Sequence, residues 1–180
     1  VPAALLAYGL WGLMPLYFRL MAPASALEVV AHRVVWSLVL LLAVLGASRQ
    51  LAGLRHRLSA PLTARIALAA LLVSINWVTY VWSVTHGHAL EASLGYFLLP
   101  QVTVGLGVLV LGERLSRAEW IGVALAAAGV AWLGWASPRF PWVALVLAFS
   151  FGLYGLVKKR ATLAAAEGMA LETALIAVPA

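Results

Sequence analysis

The chain has 180 residues, of which 64% are hydrophobic and only 10% are charged, and its formal net charge is +6. A soluble domain of this length cannot bury so much apolar surface, so the composition predicts a protein whose solvent is lipid. The basic residues fall in short gaps between apolar runs, which argues against nucleic acid as a partner. The chain has no cysteine, which excludes disulfides and thiolate metal sites.

Six apolar runs are long enough to cross a bilayer core of about 30 Å, which takes about 20 helical residues. The predicted membrane spans are 3–20, 26–46, 64–85, 92–111, 117–136 and 141–157, and a seventh begins near residue 169. The sequence therefore predicts an all-α, polytopic transmembrane helix bundle. Because the chain starts without Met and stops inside an apolar run, we expect a fragment at both ends.

The first two spans carry polar and aromatic residues at helical spacing. In the first span, one face holds Tyr8, Trp11, Gly12 and Pro15. In the second span, Glu28 and His32 are one turn apart and are candidate proton carriers. Arg33 lies about 10 Å into this span at a rise of ~1.5 Å per residue. Arg33 could snorkel outward, pair with a carboxylate, or bind an anionic group of a substrate.

The third and fourth spans also have polar faces. These faces hold Asn76, Thr79, Tyr80 and Ser83 in the third span, and Ser93, Tyr96, Pro100, Thr103 and Gly107 in the fourth. Polar stripes on neighbouring helices predict a shared aqueous cavity, with Glu28 and Arg33 at its outer part. The alternative is interhelical hydrogen bonding without a substrate. The residues that we expect to bind substrate are Trp11, Arg33, Asn76, Tyr80, Tyr96 and Pro100.

Local signals mark the turn between the fourth and fifth spans. Gly112 can end the fourth span in a left-handed conformation, and Ser116 with Glu119 forms a capping box that opens the fifth. The fifth span is rich in small residues such as Gly129, which predicts close helix packing. We interpret His86 and His88 as loop residues rather than metal ligands. The sequence predicts no metal site and no cofactor.

Two short sequence matches within the chain suggest an internal repeat. The run Gly-Leu-Trp-Gly-Leu at 9–13 returns as Gly-Leu-Tyr-Gly-Leu at 152–156, and Ala-Leu-Glu at 26–28 returns at 170–172. The repeating unit would have five spans, and an odd number makes the second copy run in the opposite direction, as in secondary transporters. We therefore predict a first five-helix repeat at 1–136 and the start of an inverted second repeat at 137–180.

The basic residues predict the orientation. Those in gaps on one side of the predicted bundle are Arg49, Arg55, Arg57, Arg65, Arg114, Arg117, Lys158, Lys159 and Arg160. The other side has only Arg139 in a loop. Because cytoplasmic loops are enriched in Lys and Arg, the N-terminus is predicted to be cytoplasmic in a multi-pass protein of the cytoplasmic membrane.

Several stretches together resemble a known family. They are Tyr-Gly-Leu-Trp-Gly at 8–12, Glu-Val-Val-Ala-His-Arg at 28–33, Asn-Trp-Val-Thr-Tyr at 76–80, the run from Gly87 to Pro100, and Leu-Gly-Glu-Arg-Leu-Ser at 111–116. The chain resembles EamA-type permeases of the drug/metabolite transporter superfamily, in the RarD (chloramphenicol-sensitivity) group. The resemblance implies ten helices in two inverted five-helix repeats, with a cavity between the repeats and both termini inside.

The sequence favours a secondary permease or exporter that moves small organic metabolites or drugs by alternating access, driven by proton coupling or exchange. The alternative is a membrane sensor or scaffold that transports nothing. An intramembrane enzyme is disfavoured, because hydrolase, zinc-protease and phosphate-loop motifs are missing. The expected partners are a small-molecule substrate and the lipid bilayer.

Overall fold

The computed structural model describes residues 2–21, 23–48, 58–136, 140–159 and 163–177. Within these ranges the chain forms seven helices and no strand. The helices are α1 (Pro2–Leu20), α2 (Ala26–Ala47), α3 (Ala60–Thr85), α4 (Ala89–Leu111), α5 (Arg117–Ala136), α6 (Trp142–Lys159) and α7 (Ala165–Ala177). Of the basic loop residues used for orientation, Arg49, Arg55, Arg57, Arg139 and Arg160 lie outside the described residues. The predicted boundary between the two repeats, at 136/137, adjoins residues 137–139, which lie outside the described residues.

The all-α, multi-span prediction is confirmed. Six of the described helices, α1 to α6, are long and apolar enough to cross a membrane. Helix α3 begins four residues before the predicted start, with Pro61 in its first turn. Proline is tolerated there because the first N–H groups of a helix have no intrahelical acceptor. Helix α7 begins at Ala165, four residues before the predicted start.

The predicted turn between α4 and α5 is confirmed in its details. Gly112 has φ 68° and ψ 24°, which is the left-handed conformation that glycine adopts without steric cost. The Ser116 backbone N–H donates to Glu119 Oε2 at 2.7 Å, and the Glu119 N–H donates to Ser116 Oγ at 3.3 Å. The two residues therefore satisfy each other's unpaired groups, and α5 begins where the capping box predicts.

Helix α3 is the centre of the bundle. It contacts α1, α2, α4, α6 and α7, and no other described helix contacts so many neighbours. One apolar cluster joins α1, α2 and α3 around Phe18, Val34 and Val81. A second joins α4 and α6 through Ala92, Val143 and Leu147, and Tyr80 and Trp82 of α3 pack against both clusters.

Among the described helices, α4 and α6 have the most extensive contact with each other. A Cβ atom added at Gly95 would lie 3.1 Å from both the Cα and the carbonyl oxygen of Ala144. A Cβ atom added at Gly152 would lie 2.8 Å from Val102 Cγ1. Small residues let backbones approach this closely in lipid, where dispersion contacts rather than the hydrophobic effect hold helices together.

The expectation of close packing by α5 is wrong for the part of the chain that the structure describes. Helix α5 has no buried residue, and a Cβ atom at Gly129 would meet nothing within 4 Å. Composition alone misleads here, because small residues permit a close approach but do not supply the neighbouring helix. In the described residues the close approach belongs to α4 and α6 instead.

We predict that Gly95→Leu destabilises the bundle and that Gly129→Leu does not. The leucine at position 95 must displace the α6 backbone at Ala144, at a cost of about 1–3 kcal/mol, whereas position 129 has open space. Thermal unfolding of both variants in one detergent measures the difference. Equal melting temperatures for the two variants would contradict the packing described here.

Candidate functional site

Three of the four predicted polar faces meet at one cavity of about 790 Å³. It is bordered by α1, α2, α3, α4 and one residue of α6. Five of the expected substrate-binding residues line it: Trp11, Arg33, Asn76, Tyr80 and Tyr96. The whole predicted face of α1 lines it as well, and so does Ser93 of α4. The predicted faces of α3 and α4 meet this space only in part, because their other members do not line it: Thr79 and Ser83 of α3, and Pro100, Thr103 and Gly107 of α4.

Arg33 is the cationic group of this cavity. Its guanidinium carbon lies 5.2 Å from the ring centroid of Phe18 and 5.3 Å from that of Trp77. Among the described residues, no carboxylate forms an ion pair with it. A cation above an aromatic face is attracted to the ring quadrupole, but its net charge is not neutralised. Of the three sequence-based alternatives for Arg33, pairing with a described carboxylate is therefore excluded.

Aromatic rings form the wall beside Arg33. The Phe18 and Tyr80 centroids are 6.0 Å apart in an edge-on arrangement, and Tyr80 and Tyr96 are 5.8 Å apart in the same way. Edge-to-face rings hold each other in fixed orientations. Tyr96 is 44% exposed, so a large part of its ring faces the cavity rather than protein. The wall is thus mainly apolar, and the tyrosine phenol groups lie at its surface.

Asn76 points into the bundle, and its amide joins two helices. Its Nδ2 donates to the Leu147 carbonyl at 3.0 Å and to Ser150 Oγ at 3.0 Å, both on α6. The residue is only 5% exposed. A primary amide has two N–H donors, so both are used by α6 and only the Oδ1 acceptor remains for a ligand. Asn76 therefore has a packing role in addition to its place at the cavity.

Two prolines lie one turn after cavity aromatics. Pro15 in α1 follows Trp11 by four residues, and Pro100 in α4 follows Tyr96 by four. Because proline has no N–H, it leaves the carbonyl four residues earlier without its helical donor. The carbonyls affected belong to cavity-lining residues in both helices. Pro100 itself is exposed and does not line the cavity, so its expected direct contact with substrate is not found.

Glu28 and His32 do not share this cavity. Both line a second cavity of about 970 Å³ between α2, α3 and α7, where their side chains are exposed. The expectation that Glu28 lies at the outer part of the Arg33 cavity is wrong. Five residues turn a helix through about 500°, so Glu28 and Arg33 point about 140° apart. The buried residues Val29, Val30 and Val34 separate the two faces.

Sequence reasoning missed several cavity residues, chiefly Phe18 and Trp77. Phe18 is 1% exposed and lies under the Arg33 guanidinium. It follows Trp11 by seven residues and so extends the same helical face. That spacing is sufficient to predict that Phe18 lies on the cavity face. Nothing in the sequence indicates that Phe18 contacts a cation on another helix.

The histidines between α3 and α4 form a separate cluster. The Trp82 ring stacks on His86 at 4.9 Å and on His88 at 5.1 Å, and His88 Nδ1 lies 2.8 Å from Glu91 Oε1. No group of three or more His, Cys, Asp or Glu residues in the described ranges is arranged to hold a metal ion. The cluster's contacts are therefore stacking and a local hydrogen bond.

An aromatic-lined cavity with a few polar groups, inside a multi-span helical bundle, is typical of membrane transport proteins. The family model of the EamA-like transporter family matches residues 1–135, and the chain belongs to that family. It is thus a multi-pass membrane protein of a bacterial transporter family, which confirms the family resemblance.

The similarity to curated relatives agrees with this family membership. The chain is 48% identical to "Protein RarD" of Streptomyces exfoliatus, over 97% of this chain and 56% of the relative. It is 47% identical to "Uncharacterized transporter YojE" of Bacillus subtilis, over 93% and 57%, respectively. It is 39% identical to "Chloramphenicol-sensitive protein RarD" of Pseudomonas aeruginosa, over 88% and 55%. The chain thus spans somewhat more than half the length of these relatives. No solved structure matches it.

We predict that Asn76→Ala lowers stability by about 0.6–2 kcal/mol, because α6 loses two hydrogen bonds in a medium without water. Ser150→Ala removes one of the same bonds, so the double variant should cost less than the sum of the two single variants. Thr103→Ala is the control, because the Thr103 hydroxyl bonds only within its own helix. The measurement is thermal unfolding in detergent, and additive losses at 76 and 150 would argue against the bond.

Proposed function

We propose that this protein is a secondary permease that moves small organic metabolites or drugs across the cytoplasmic membrane by alternating access. The observation that carries the proposal is Arg33, a cation in an aromatic-lined cavity with no carboxylate partner among the described residues. Ionisable groups within membrane helices are costly, and they usually mark the path of a substrate or an ion.

The cavity suggests a role for each candidate residue. Arg33 attracts an anionic or electron-rich group of the substrate, because its charge is only partly balanced by Phe18 and Trp77. Trp11, Tyr80 and Tyr96 offer aromatic surface for the apolar part of the substrate. Asn76 contributes its free acceptor. Pro100 acts indirectly, because it releases the Tyr96 carbonyl from the helix ladder.

The sensor or scaffold alternative has one observation in its favour. The Asn76 amide is used for helix packing, as that alternative predicts for all the polar residues. Arg33 and Tyr96 behave differently, because they face a cavity and bond to no described polar partner that would explain them as packing residues. The curated relatives that are named transporters support the permease, and we propose no catalysis.

We also propose the inverted repeat, with a first unit at 1–136 and a second from 137. The family model ends at residue 135, next to the proposed boundary. Helices α2 and α7, the second helices of the two units, pack against each other, as equivalent helices beside a pseudo-two-fold axis would. Among the described basic residues, Arg65, Arg114, Arg117, Lys158 and Lys159 lie at or near ends of helices assigned to one side. They support a cytoplasmic N-terminus.

For energy coupling we propose Glu28 and His32 as proton carriers. They line the second cavity, where their side chains are exposed rather than buried in a fixed network. An exposed carboxylate and imidazole one turn apart in a membrane helix can exchange protons with water that enters this space. Binding of substrate and binding of protons would then occur on opposite faces of α2.

The substrate site is tested by Arg33→Gln and Tyr96→Ala in the complete permease, reconstituted in proteoliposomes. Loss of the guanidinium should weaken binding of an anionic solute about 10–100-fold, because a charge-assisted hydrogen bond contributes ~1.5–3 kcal/mol. Flux of benzoate, benzyl alcohol and benzylamine compares charge at constant size. Arg19→Gln is the matched control, since Arg19 is exposed and does not line the cavity. Unchanged flux in both cavity variants would rule out this site.

The proton role is tested separately by Glu28→Gln, whose amide cannot titrate. If Glu28 carries the coupled proton, an imposed pH gradient should no longer drive flux in this variant, while exchange of solute without a gradient continues. Glu91→Gln is the control carboxylate, because Glu91 does not line the second cavity. Gradient-driven flux at the parental rate in Glu28→Gln would remove Glu28 from the mechanism.

A further inference from the structure

Helix α7 contains a buried carboxylate that the proposed transport site does not use. Glu172 is 2% exposed. Its Oε1 accepts a hydrogen bond from Lys158 Nζ at 2.7 Å, and its Oε2 accepts one from the Tyr154 hydroxyl at 3.1 Å. Both donors lie on α6. The carboxylate is therefore held at both oxygens by a neighbouring helix, as a charge away from water must be.

The backbone leaves room for this arrangement at one position. Gly168 lies one turn before Glu172, and a Cβ atom added there would be 2.7 Å from Lys158 Nζ. A side chain at 168 would therefore force the ammonium group to shift from this position beside the carboxylate. Beside the ion pair is a cavity of about 20 Å³, lined among others by Arg65, Ala69, Lys158 and Glu172. That volume holds about one water molecule.

The ion pair lies between two sets of helices. Helix α6 packs mainly against α4 and α3, whereas α7 packs mainly against α2 and α3. Helices α6 and α7 have no comparable packing with each other. Their described connection is the polar cluster of Tyr154, Lys158 and Glu172. A contact of this kind can separate without opening an apolar core.

We propose that Tyr154, Lys158 and Glu172 form a gate that closes the cytoplasmic end of the bundle and opens during transport. The gate rests on the proposed function, because only alternating access requires this end to open. A buried ion pair gains little over its hydrated, separated charges, since desolvation offsets most of the attraction. Water entering between α6 and α7 can therefore replace the pair. An apolar contact of the same size would resist hydration.

The proposed internal repeat supports this assignment. Glu172 occupies the position in the second unit that Glu28 occupies in the first, in the shared Ala-Leu-Glu triad. In an inverted repeat these two positions lie toward opposite ends of the bundle. Here Glu172 is buried and bound at both oxygens, whereas Glu28 is exposed.

The gate is tested by thiol labelling in the complete permease. The chain has no native cysteine, so Ala69→Cys supplies a single reporter in this chain, at a residue that is 1% exposed and lines the small cavity behind the ion pair. Glu172→Gln keeps an acceptor for Tyr154 but removes the charge that holds Lys158. A water-soluble thiol reagent, applied to inside-out vesicles, should label the introduced thiol at least 10-fold faster in this background.

Two matched variants control the experiment. Glu113→Gln removes the exposed ion pair between Glu113 and Lys159, which lies outside the gate, and should leave the labelling rate unchanged. Gly168→Ala keeps every charge but displaces the Lys158 ammonium, so it should accelerate labelling as Glu172→Gln does. Size-exclusion chromatography selects folded protein for each measurement. An Ala118→Cys reporter at the exposed start of α5 should react at the same rate in every background.

The outcomes separate the gate from the transport proposal. Faster labelling in Glu172→Gln and Gly168→Ala, with a parental rate in Glu113→Gln, supports the gate. Parental labelling in folded Glu172→Gln, or equal acceleration in Glu113→Gln, overturns it. Labelling requires no substrate, so the gate can fail while solute flux is normal. Conversely, absent solute flux in the parent protein would overturn the transport proposal without altering the labelling result.

Discussion

The Asn76 amide on α3 is the interaction on which the arrangement of the bundle and its cavity depends. In the hydrocarbon core of a bilayer no water satisfies a buried polar side chain, so a buried amide in a membrane helix finds its partners chiefly in another helix. Asn76 finds them in Leu147 and Ser150 of α6. This contact fixes the rotation of α3 against α6. The same rotation directs Trp77 and Tyr80, which follow within about one turn, toward the Arg33 cavity.

Arg33 and Glu172 are two charged residues of the bundle that are accommodated in different ways. Arg33 rests against the faces of Phe18 and Trp77, which attract the cation without cancelling its charge. Glu172 is bound by a lysine and a tyrosine, so its charge and both of its oxygens are satisfied locally. The first arrangement leaves an electric field in a cavity. The second joins two helices. This physical difference is the reason for proposing Arg33 as a binding residue and Glu172 as a gate residue.

Close packing and polar lining are divided among the helices. Helices α4 and α6 approach each other at Gly95 and Gly152, where any side chain would collide with the opposite helix. Helix α1 buries only Phe18 and presents its other residues to the cavity or away from the described helices. Glycine therefore has different roles in different helices. At 95 it permits contact between backbones, whereas Gly12 borders the cavity and has no atom within 4 Å of an added Cβ.

The sequence alone determined the all-helical, multi-span fold, most helix limits and the turn at Gly112 to Glu119, because hydrophobic length and capping are local properties. Helical spacing also predicted that Trp11, Asn76, Tyr80 and Tyr96 face one cavity. The residues expected at this cavity also included Arg33. Only the tertiary structure decided that Glu28 and His32 line another space, that Phe18 lies beneath the guanidinium, and that α4 rather than α5 packs closely. These outcomes depend on which helices become neighbours and how each is rotated. Neither property is encoded in the periodicity of a single helix.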